Sequence, residues 1–188
     1  DFTSGLFSLR SGATLRGSGQ VLDLTIDQSN YSPAACFTVL KDYTIISSSI
    51  HNINIDGVGR CAEYSSLTVG DDIVLDNNSV LALTSTYTPD VSDEFAVIQC
   101  SGTCSISGEY AGLPEKESVF IGGVEFRILY EPGNGIFLRL KPECDFDTEC
   151  DDMVSCTTNT CVMGNCEFTP DDTQCDDGVS CTDDTCEP

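Results

Sequence analysis

Residues 118–140 have the sequence SVFIGGVEFRILYEPGNGIFLRL, in which three alternating apolar and polar segments are joined by two turns. In the middle segment every second residue from Val124 to Tyr130 is apolar, and the charged residues Glu125 and Arg127 alternate with the first three of them. Successive side chains of a strand point to opposite faces, so this alternation is typical of a half-buried strand. Gly122-Gly123 and the PGNG sequence at Pro132 are typical hairpin turns. This stretch therefore predicts three antiparallel strands.

The same period of two residues recurs upstream, for example in QVLDLTID, where we expect Leu22, Leu24 and Ile26 to share one face. No helical 3.6-residue period of useful length appears. The sequence therefore predicts an all-β protein whose head is an antiparallel β-sandwich of jelly-roll type. A short β-solenoid with an antiparallel cap is the alternative architecture.

The segment 141–188 is a cysteine-rich tail. It holds eight of the 12 cysteines, and CDDMVSCTTNTC from Cys150 is echoed by CDDGVSCTDDTC from Cys175, a period of 25 residues. Such a framework indicates disulfides and an oxidising, extracellular location. Zinc binding is the competing interpretation. However, the tail has C-x5-C and C-x4-C spacings rather than the C-x2-C spacing of zinc knuckles, and the single histidine, His51, lies far upstream.

Composition divides the chain into a head, residues 1–140, and this tail. The tail carries 14 acidic residues and one basic residue, Lys141, and has few apolar side chains. Its order must come from cross-links, each of which stabilises by roughly 2–4 kcal/mol. We therefore expect a small disulfide-stapled domain with little regular structure, whereas the head has enough apolar residues for one core.

All cysteines are predicted to form disulfides. In the head, three pairings are open, and we favour Cys36 with Cys61 and Cys100 with Cys104, although spacing alone does not prove it. The connectivity of the tail stays open. The full set is Cys36, Cys61, Cys100, Cys104, Cys144, Cys150, Cys156, Cys161, Cys166, Cys175, Cys181 and Cys186.

The net charge of −23 excludes nucleic acid and anionic membranes as favoured partners, because phosphate binding requires a basic surface. No apolar run approaches the ~20 residues that span a bilayer, so membrane insertion is not expected. The sequence begins at Asp1 without Met, and we interpret it as a mature form from which a signal peptide has been removed.

Catalytic motifs are missing from the sequence. It contains no G-x-S-x-G, no H-E-x-x-H and no phosphate loop. His51 lies on the same face of the predicted strand as Ile53 and Ile55, which predicts a buried side chain rather than a general base. We therefore predict no enzyme and no required cofactor. The tyrosines considered for sugar stacking in a carbohydrate-binding protein are Tyr31, Tyr64, Tyr87 and Tyr110.

Acidic residues recur at fixed offsets from the tail cysteines. Crowded carboxylates repel one another unless a cation lies among them, which is the basis for a Ca²⁺ hypothesis. The competing interpretation is solvated charge or Asx turns that cap the disulfide loops. The candidate ligands are Asp151, Asp152, Asp176, Asp177, Asp183 and Asp184.

Two sequons predict covalent glycans in a secreted chain. Asn77 is the favoured site, because Pro33 follows the sequon of Asn30 directly. A separate feature is the N-terminal run of Leu6, Phe7 and Leu9, which precedes a glycine-containing break. This run either pairs with the edge of its own sheet or completes the sheet of a neighbouring copy.

Residues 13–140 resemble the end region of autotransporter-type β-repeat surface proteins. The segments that carry this resemblance are ATLRGSGQV at 13–21, SSLTVGDDIVLDNNSVLAL at 65–83, DEFAVIQC at 93–100, ISGEYAGLPEKESVFIGGVEFRILY at 106–130 and NGIFLRL at 134–140. The resemblance implies solenoid rungs or an antiparallel cap on a surface stalk. The chain departs from that family by adding head cysteines and by having a cysteine-rich tail.

The tail resembles the cysteine-rich repeats of extracellular-matrix and slime-mould-type surface proteins, in which CxDGxxCTxDxC is reiterated. A β head followed by such a stem also resembles subunits of extracellular glycosylated fibrils. These resemblances imply a secreted structural subunit that self-associates head to tail, with donation of the N-terminal strand as one route. A cell-surface adhesin or carbohydrate-binding module is the alternative, and a glycan-active enzyme is the third hypothesis.

Overall fold

The computed structural model describes residues 2–90, 92–175 and 185–186. It contains two compact units, Asp1–Lys141 and Pro142–Pro188, and this division lies one residue from the boundary that composition predicts. No helix within the described ranges is long and apolar enough to cross a membrane.

The first unit, the head, is built of strands. In chain order they are β1 Phe2–Arg10, β2 Thr14–Asp27, β3 Asn30–Val39, β4 Tyr43–Ile46, β5 Ile50–Ile55, β6 Ser66–Val69, β7 Ile73–Leu75, β8 Val80–Ser85, β9 Glu94–Cys100, β10 Ile106–Ser107, β11 Ser118–Ile121, β12 Val124–Glu131 and β13 Gly135–Leu140.

The strands β1 to β10 form a parallel solenoid with three faces. On the first face, β1, the end of β2, β4, β7 and β10 stack in parallel. The start of β2, the start of β3, β5 and β8 form the second face. The third face consists of the middle of β2, the end of β3, β6 and β9. Each circuit through the three faces is called a rung, and β2 forms the first complete one.

An antiparallel cap continues the third face. Strand β13 pairs with β9, β12 pairs with β13, and β11 pairs with β12, all antiparallel. The turns between them are those at Gly122-Gly123 and at Gly133, where the glycines have positive φ. The predicted three-stranded antiparallel end of the domain is therefore confirmed.

The all-β class is confirmed, and the strand pairing follows the alternative architecture, the short solenoid with an antiparallel cap. The antiparallel sandwich that we preferred is not the observed pairing. The alternation of apolar and polar residues did not distinguish the solenoid from the sandwich, because strands of both architectures bury one face and expose the other. Leu22 is also only half buried, because β2 passes from the third face to the first between Val21 and Leu24.

The head core consists of inward side chains stacked in register along the solenoid. One column on the second face contains Leu15, Tyr31, His51 and Leu81. Adjacent strands lie about 4.8 Å apart, so each residue packs directly on its equivalents in neighbouring rungs. At one corner the buried serines Ser29, Ser49 and Ser79 donate their hydroxyls to backbone carbonyls.

The second unit, the tail, contains one antiparallel hairpin, β14 Thr157–Val162 with β15 Asn165–Pro170, and the 3-10 helices Asp147–Glu149 and Asp172–Gln174. Buried side chains of its described residues are all cysteines: Cys144, Cys150, Cys156 and Cys186. Cross-links, rather than an apolar core, hold this unit together.

Candidate assembly interface

The third face of the head ends at an open edge on β2. Residues 14–21 of β2 pair with β3 on one side. On the other side, β1 pairs with Val21 and with residues 23–27. No strand of the described residues therefore pairs with the outer side of residues 14–20. Unpaired N–H and C=O groups along such an edge are a template for pairing with another chain.

A groove lies along this open edge. It has a volume of about 230 Å³ and is lined in part by Phe7, Leu15 and Phe37. Gly19 lines the groove without contributing a side chain, and a Cβ placed on it meets only the Phe37 ring at 3.6 Å.

At the other end of the same sheet, β11 is the terminal strand. Its residues Val119 and Ile121 are buried, whereas the Phe120 side chain between them is 67% exposed. An exposed aromatic residue on a sheet edge combines unpaired backbone groups with an apolar side chain. The sheet thus offers two different edges, one with a groove and one with a protruding ring.

The predicted strand run at the N-terminus pairs with its own sheet. Leu6 and Leu9 lie opposite Asp23 and Ile26 in a parallel pairing of β1 with β2. The Leu9 side chain is buried and Leu6 is 70% exposed. Of the two interpretations of this run, pairing within the chain is therefore the one the structure contains.

The disulfides link nearby segments of the chain. Cys36–Cys61 and Cys100–Cys104 are the two head pairings that we favoured. The tail contains Cys144–Cys161, Cys150–Cys166 and Cys156–Cys186. Cys175 is free among the described cysteines, and its sulfur lies within 4.8 Å of those of Cys156 and Cys186. Cys181 lies outside the described residues.

The sequon asparagines occupy different environments. Asn77 is exposed in the turn before β8, and its Oδ1 accepts a hydrogen bond from the Glu109 N–H at 3.4 Å. The hydroxyl of Ser79, the third residue of that sequon, is buried and donates to the Ile45 carbonyl at 3.1 Å. Asn30 is half buried in β3, where its N–H donates to the Ala13 carbonyl.

The two candidate calcium ligands that the structure describes, Asp151 and Asp152, make local turn contacts. Asp151 accepts the N–H of Met153 at 2.8 Å, and Asp152 accepts the N–H of Val154 at 3.0 Å. Partial desolvation opposes ionisation of Asp152, but hydrogen bonds, including one from Thr157, hold its pKa below the ordinary value. These are Asx-turn contacts. The other candidate ligands, Asp176, Asp177, Asp183 and Asp184, lie outside the described residues.

The head interior contains a cluster of aromatic polar groups around His51. The His51 Nδ1 lies 2.7 Å from the Tyr110 hydroxyl, and its ring centroid lies 5.0 Å from that of Tyr31. Burial lowers the pKa of His51 to about 3, so the ring is neutral at physiological pH. The prediction that His51 is buried is confirmed. The enclosed cluster offers no accessible acid or base.

The tyrosines considered for sugar stacking are mostly unavailable. Tyr31, Tyr64 and Tyr110 are buried in the head core, and Tyr87 is half buried with its hydroxyl donating to Asp93 at 2.9 Å. The structure thus corrects the expectation for three of the four rings. Stacking requires an exposed aromatic face, which these three do not present.

The chain was compared with family models, with curated proteins and with solved structures, and nothing matched in any of the three comparisons.

Proposed function

We propose that this protein is a secreted structural subunit of an extracellular fibre or surface appendage. The observation that carries the proposal is the third face of the head, a single sheet whose two ends are different open edges. Pairing the β11 edge of one copy with the β2 edge of the next is a head-to-tail contact. Such a contact adds copies without closing unless its rotation happens to form a ring, so it produces filaments.

Strand addition suits this task physically. Main-chain hydrogen bonds supply affinity, and pockets for alternate side chains supply register. Folded monomers normally protect their open edges with charge, proline or a covering loop. Residues 17–20 (GSGQ) of the β2 edge contain neither a charge nor a proline, and no described strand pairs with their outer side; the glycines there let a neighbouring strand approach closely.

The tail supports the same proposal as an acidic stem. Its disulfides are compatible with an oxidising environment outside the cell. A stem held by cross-links and carrying 14 acidic residues repels other stems, which keeps lateral association of filaments low. Glycans at Asn77 add further solvated bulk, and no required cofactor enters the proposal. Ca²⁺ among the tail aspartates stays a secondary hypothesis.

Exchange of β1 between copies is a second form of this assembly. In that form, the parallel β1–β2 pairing within one chain is replaced by the same pairing between two chains. Deletion of residues 1–9 then abolishes assembly without unfolding the head, because Leu9 is the only buried side chain among the described side chains of this segment and the rest of the core lies in the segment from β2 to β13. Assembly that survives the deletion assigns the contact to the β2 and β11 edges instead.

The test of the proposed function is sedimentation velocity of the purified, non-reduced full chain over a series of rising concentrations. We expect a broadening series of species that extends beyond dimers, because every added copy presents a new open edge. A single monomeric species at all concentrations contradicts the proposal. Binding to immobilised glycans by that monomer then favours the adhesin alternative.

A further inference from the structure

The first rung of the head lacks an apolar side chain that every later rung contributes. On the third face, one column pairs Gly19 with Phe37, Phe37 with Leu67, and Leu67 with Ile98. The last three side chains are buried, with Phe37 6% exposed and the other two fully enclosed. At Gly19 the column stops, and the edge of the Phe37 ring forms part of the groove wall.

The space at this end matches one aromatic ring. The groove measures about 230 Å³, and its apolar walls include Phe7, Leu15 and Phe37. An apolar cavity of about 150 Å³ is sufficient to bind benzene. A phenyl ring placed here extends the column by one position and removes apolar surface of both partners from water.

The matching ring is found at the opposite edge of the same sheet. Phe120 is 67% exposed on β11, and its cross-strand neighbour is the charged residue Glu125 rather than an apolar one. Packing within the head therefore does not account for an apolar residue at position 120. Burial of an exposed phenylalanine in a partner groove removes its apolar surface from water and thereby stabilises the contact.

The charges near the two edges are complementary. Arg16 is exposed and lines the groove, and no acidic residue of the described part of the chain pairs with it. Near β11, Glu115 and Glu117 flank Lys116, which leaves an acidic excess. Because the chain has only eight basic residues, an arginine at this edge without an acidic partner among the described residues favours an acidic group on another molecule.

We propose that the occupant of the groove is Phe120 of a second copy of this chain, with Arg16 of the first copy facing Glu117 of the second. This inference rests on the proposed function and specifies its contact. The groove and the ring lie on different edges, so the contact is heterologous and repeats from copy to copy.

The test is substitution of Phe120 by serine in the full chain, with Phe146→Ser in the tail as the matched control. The two phenylalanines are 67% and 68% exposed, so neither substitution affects a core. We expect Phe120→Ser to weaken self-association by about 10- to 100-fold, the range set by burial of one phenylalanine side chain. Phe146→Ser is expected to associate like the wild type. Equal association of all three proteins overturns the contact but leaves the proposed function standing.

A charge exchange and a cross-link locate the contact directly. Arg16→Glu and Glu117→Lys should each weaken association, and their combination should restore part of the loss. A photoreactive benzoylphenylalanine at position 120 should cross-link to peptides that contain Phe7, residues 14–21 or Phe37 of another copy. Cross-links confined to other peptides overturn the inference. A wild-type chain that does not associate at all contradicts the proposed function and this contact together.

Discussion

At the residue scale, His51 shows how burial in the solenoid sets chemistry. The ring lies in a column between Tyr31 and Leu81 and is fully buried. Its Nε2 has no hydrogen-bond partner within the described residues. A charged imidazolium in this position has neither solvent nor a carboxylate to stabilise it, so the neutral form is strongly favoured.

We predict that the head becomes less stable as pH falls from 7 to 5. The pKa of His51 is about 3 in the folded chain and about 6.5 in the unfolded chain. In that window the unfolded chain binds a proton that the folded chain does not, so protonation favours unfolding. The expected loss is about 2 kcal/mol at pH 5, measured by urea unfolding of the non-reduced protein.

The control for this prediction is His51→Leu, which removes the titrating group. Its free energy of unfolding should vary much less between pH 7 and 5. Carboxyl groups with lowered pKa, such as Asp76, whose side chain accepts the Ser47 N–H, reduce stability only at lower pH. Identical pH profiles of wild type and variant contradict the assignment to His51.

Several residue positions were predictable from the sequence for simple reasons. The parity of His51 with Ile53 and Ile55 placed it in the core. The short spacing of Cys100 and Cys104 favoured their disulfide. Burial of Tyr31 and Tyr110 was not predicted, because the ring that both contact, His51, is distant from each of them in sequence.

At the element scale, the corners of the solenoid depend on buried serine hydroxyls. The Ser49 hydroxyl accepts the Ser29 N–H of the preceding rung at 3.3 Å, and its single proton is shared between the nearby Ile46 carbonyl and the Ile26 carbonyl of the preceding rung at 3.2 Å. This one hydroxyl thus bridges two rungs at a position where strand hydrogen bonds are interrupted. Its removal leaves buried backbone groups with fewer partners.

Ser49→Ala is therefore expected to destabilise the head by about 1–3 kcal/mol, the range for leaving a buried polar group unpaired. The neighbouring Ser48→Ala is a suitable control, because Ser48 is exposed at the same corner. Thermal or urea unfolding of both variants measures the difference. Similar stability of the two variants rules out a bridging role for Ser49.

The parallel pairing of the strands was the main element-scale feature that sequence reasoning missed. Its signal was present as a weak repeat, in which Val21, Val39 and Val69 are followed two or three residues later by an aspartate. A serine then follows each aspartate after six or seven residues, at Ser29, Ser49 and Ser79. The valines form one stacked column, in which Val21 pairs with Val39 and Val39 pairs with Val69. The rungs differ in length, so the repeat has no fixed period.

The tail should depend on its disulfides to a greater extent than the head does. Cys150–Cys166 closes a loop over a separation of 16 residues, and loss of such a cross-link costs about 3 kcal/mol. We expect Cys150→Ser/Cys166→Ser to make the tail sensitive to protease while the head stays resistant. Limited proteolysis with mass spectrometry detects the cleavage positions.

The matched control is Cys100→Ser/Cys104→Ser in the head. This disulfide spans only four residues, and the surrounding head has an extensive apolar core. We expect the head of that variant to remain resistant to protease. Cleavage throughout the head, or a tail that resists protease without Cys150–Cys166, contradicts the conclusion that cross-links stabilise the tail whereas an apolar core stabilises the head.

At the scale of the whole molecule, the proposed assembly uses the two open edges of one sheet in the head. The division into head and tail could be inferred from composition, since charge and cysteine content change sharply near Lys141. The groove at Gly19 could not be inferred, because a glycine in a strand has the same sequence signature whether its neighbour is solvent or another chain.

Electron microscopy of the purified, non-reduced full chain at rising concentration is the decisive test of head-to-tail assembly. We expect unbranched filaments one subunit wide, which shorten or disappear for Phe120→Ser and persist for Phe146→Ser. Uniform single particles at every concentration, or closed dimers that do not extend, contradict head-to-tail assembly through the β2 and β11 edges.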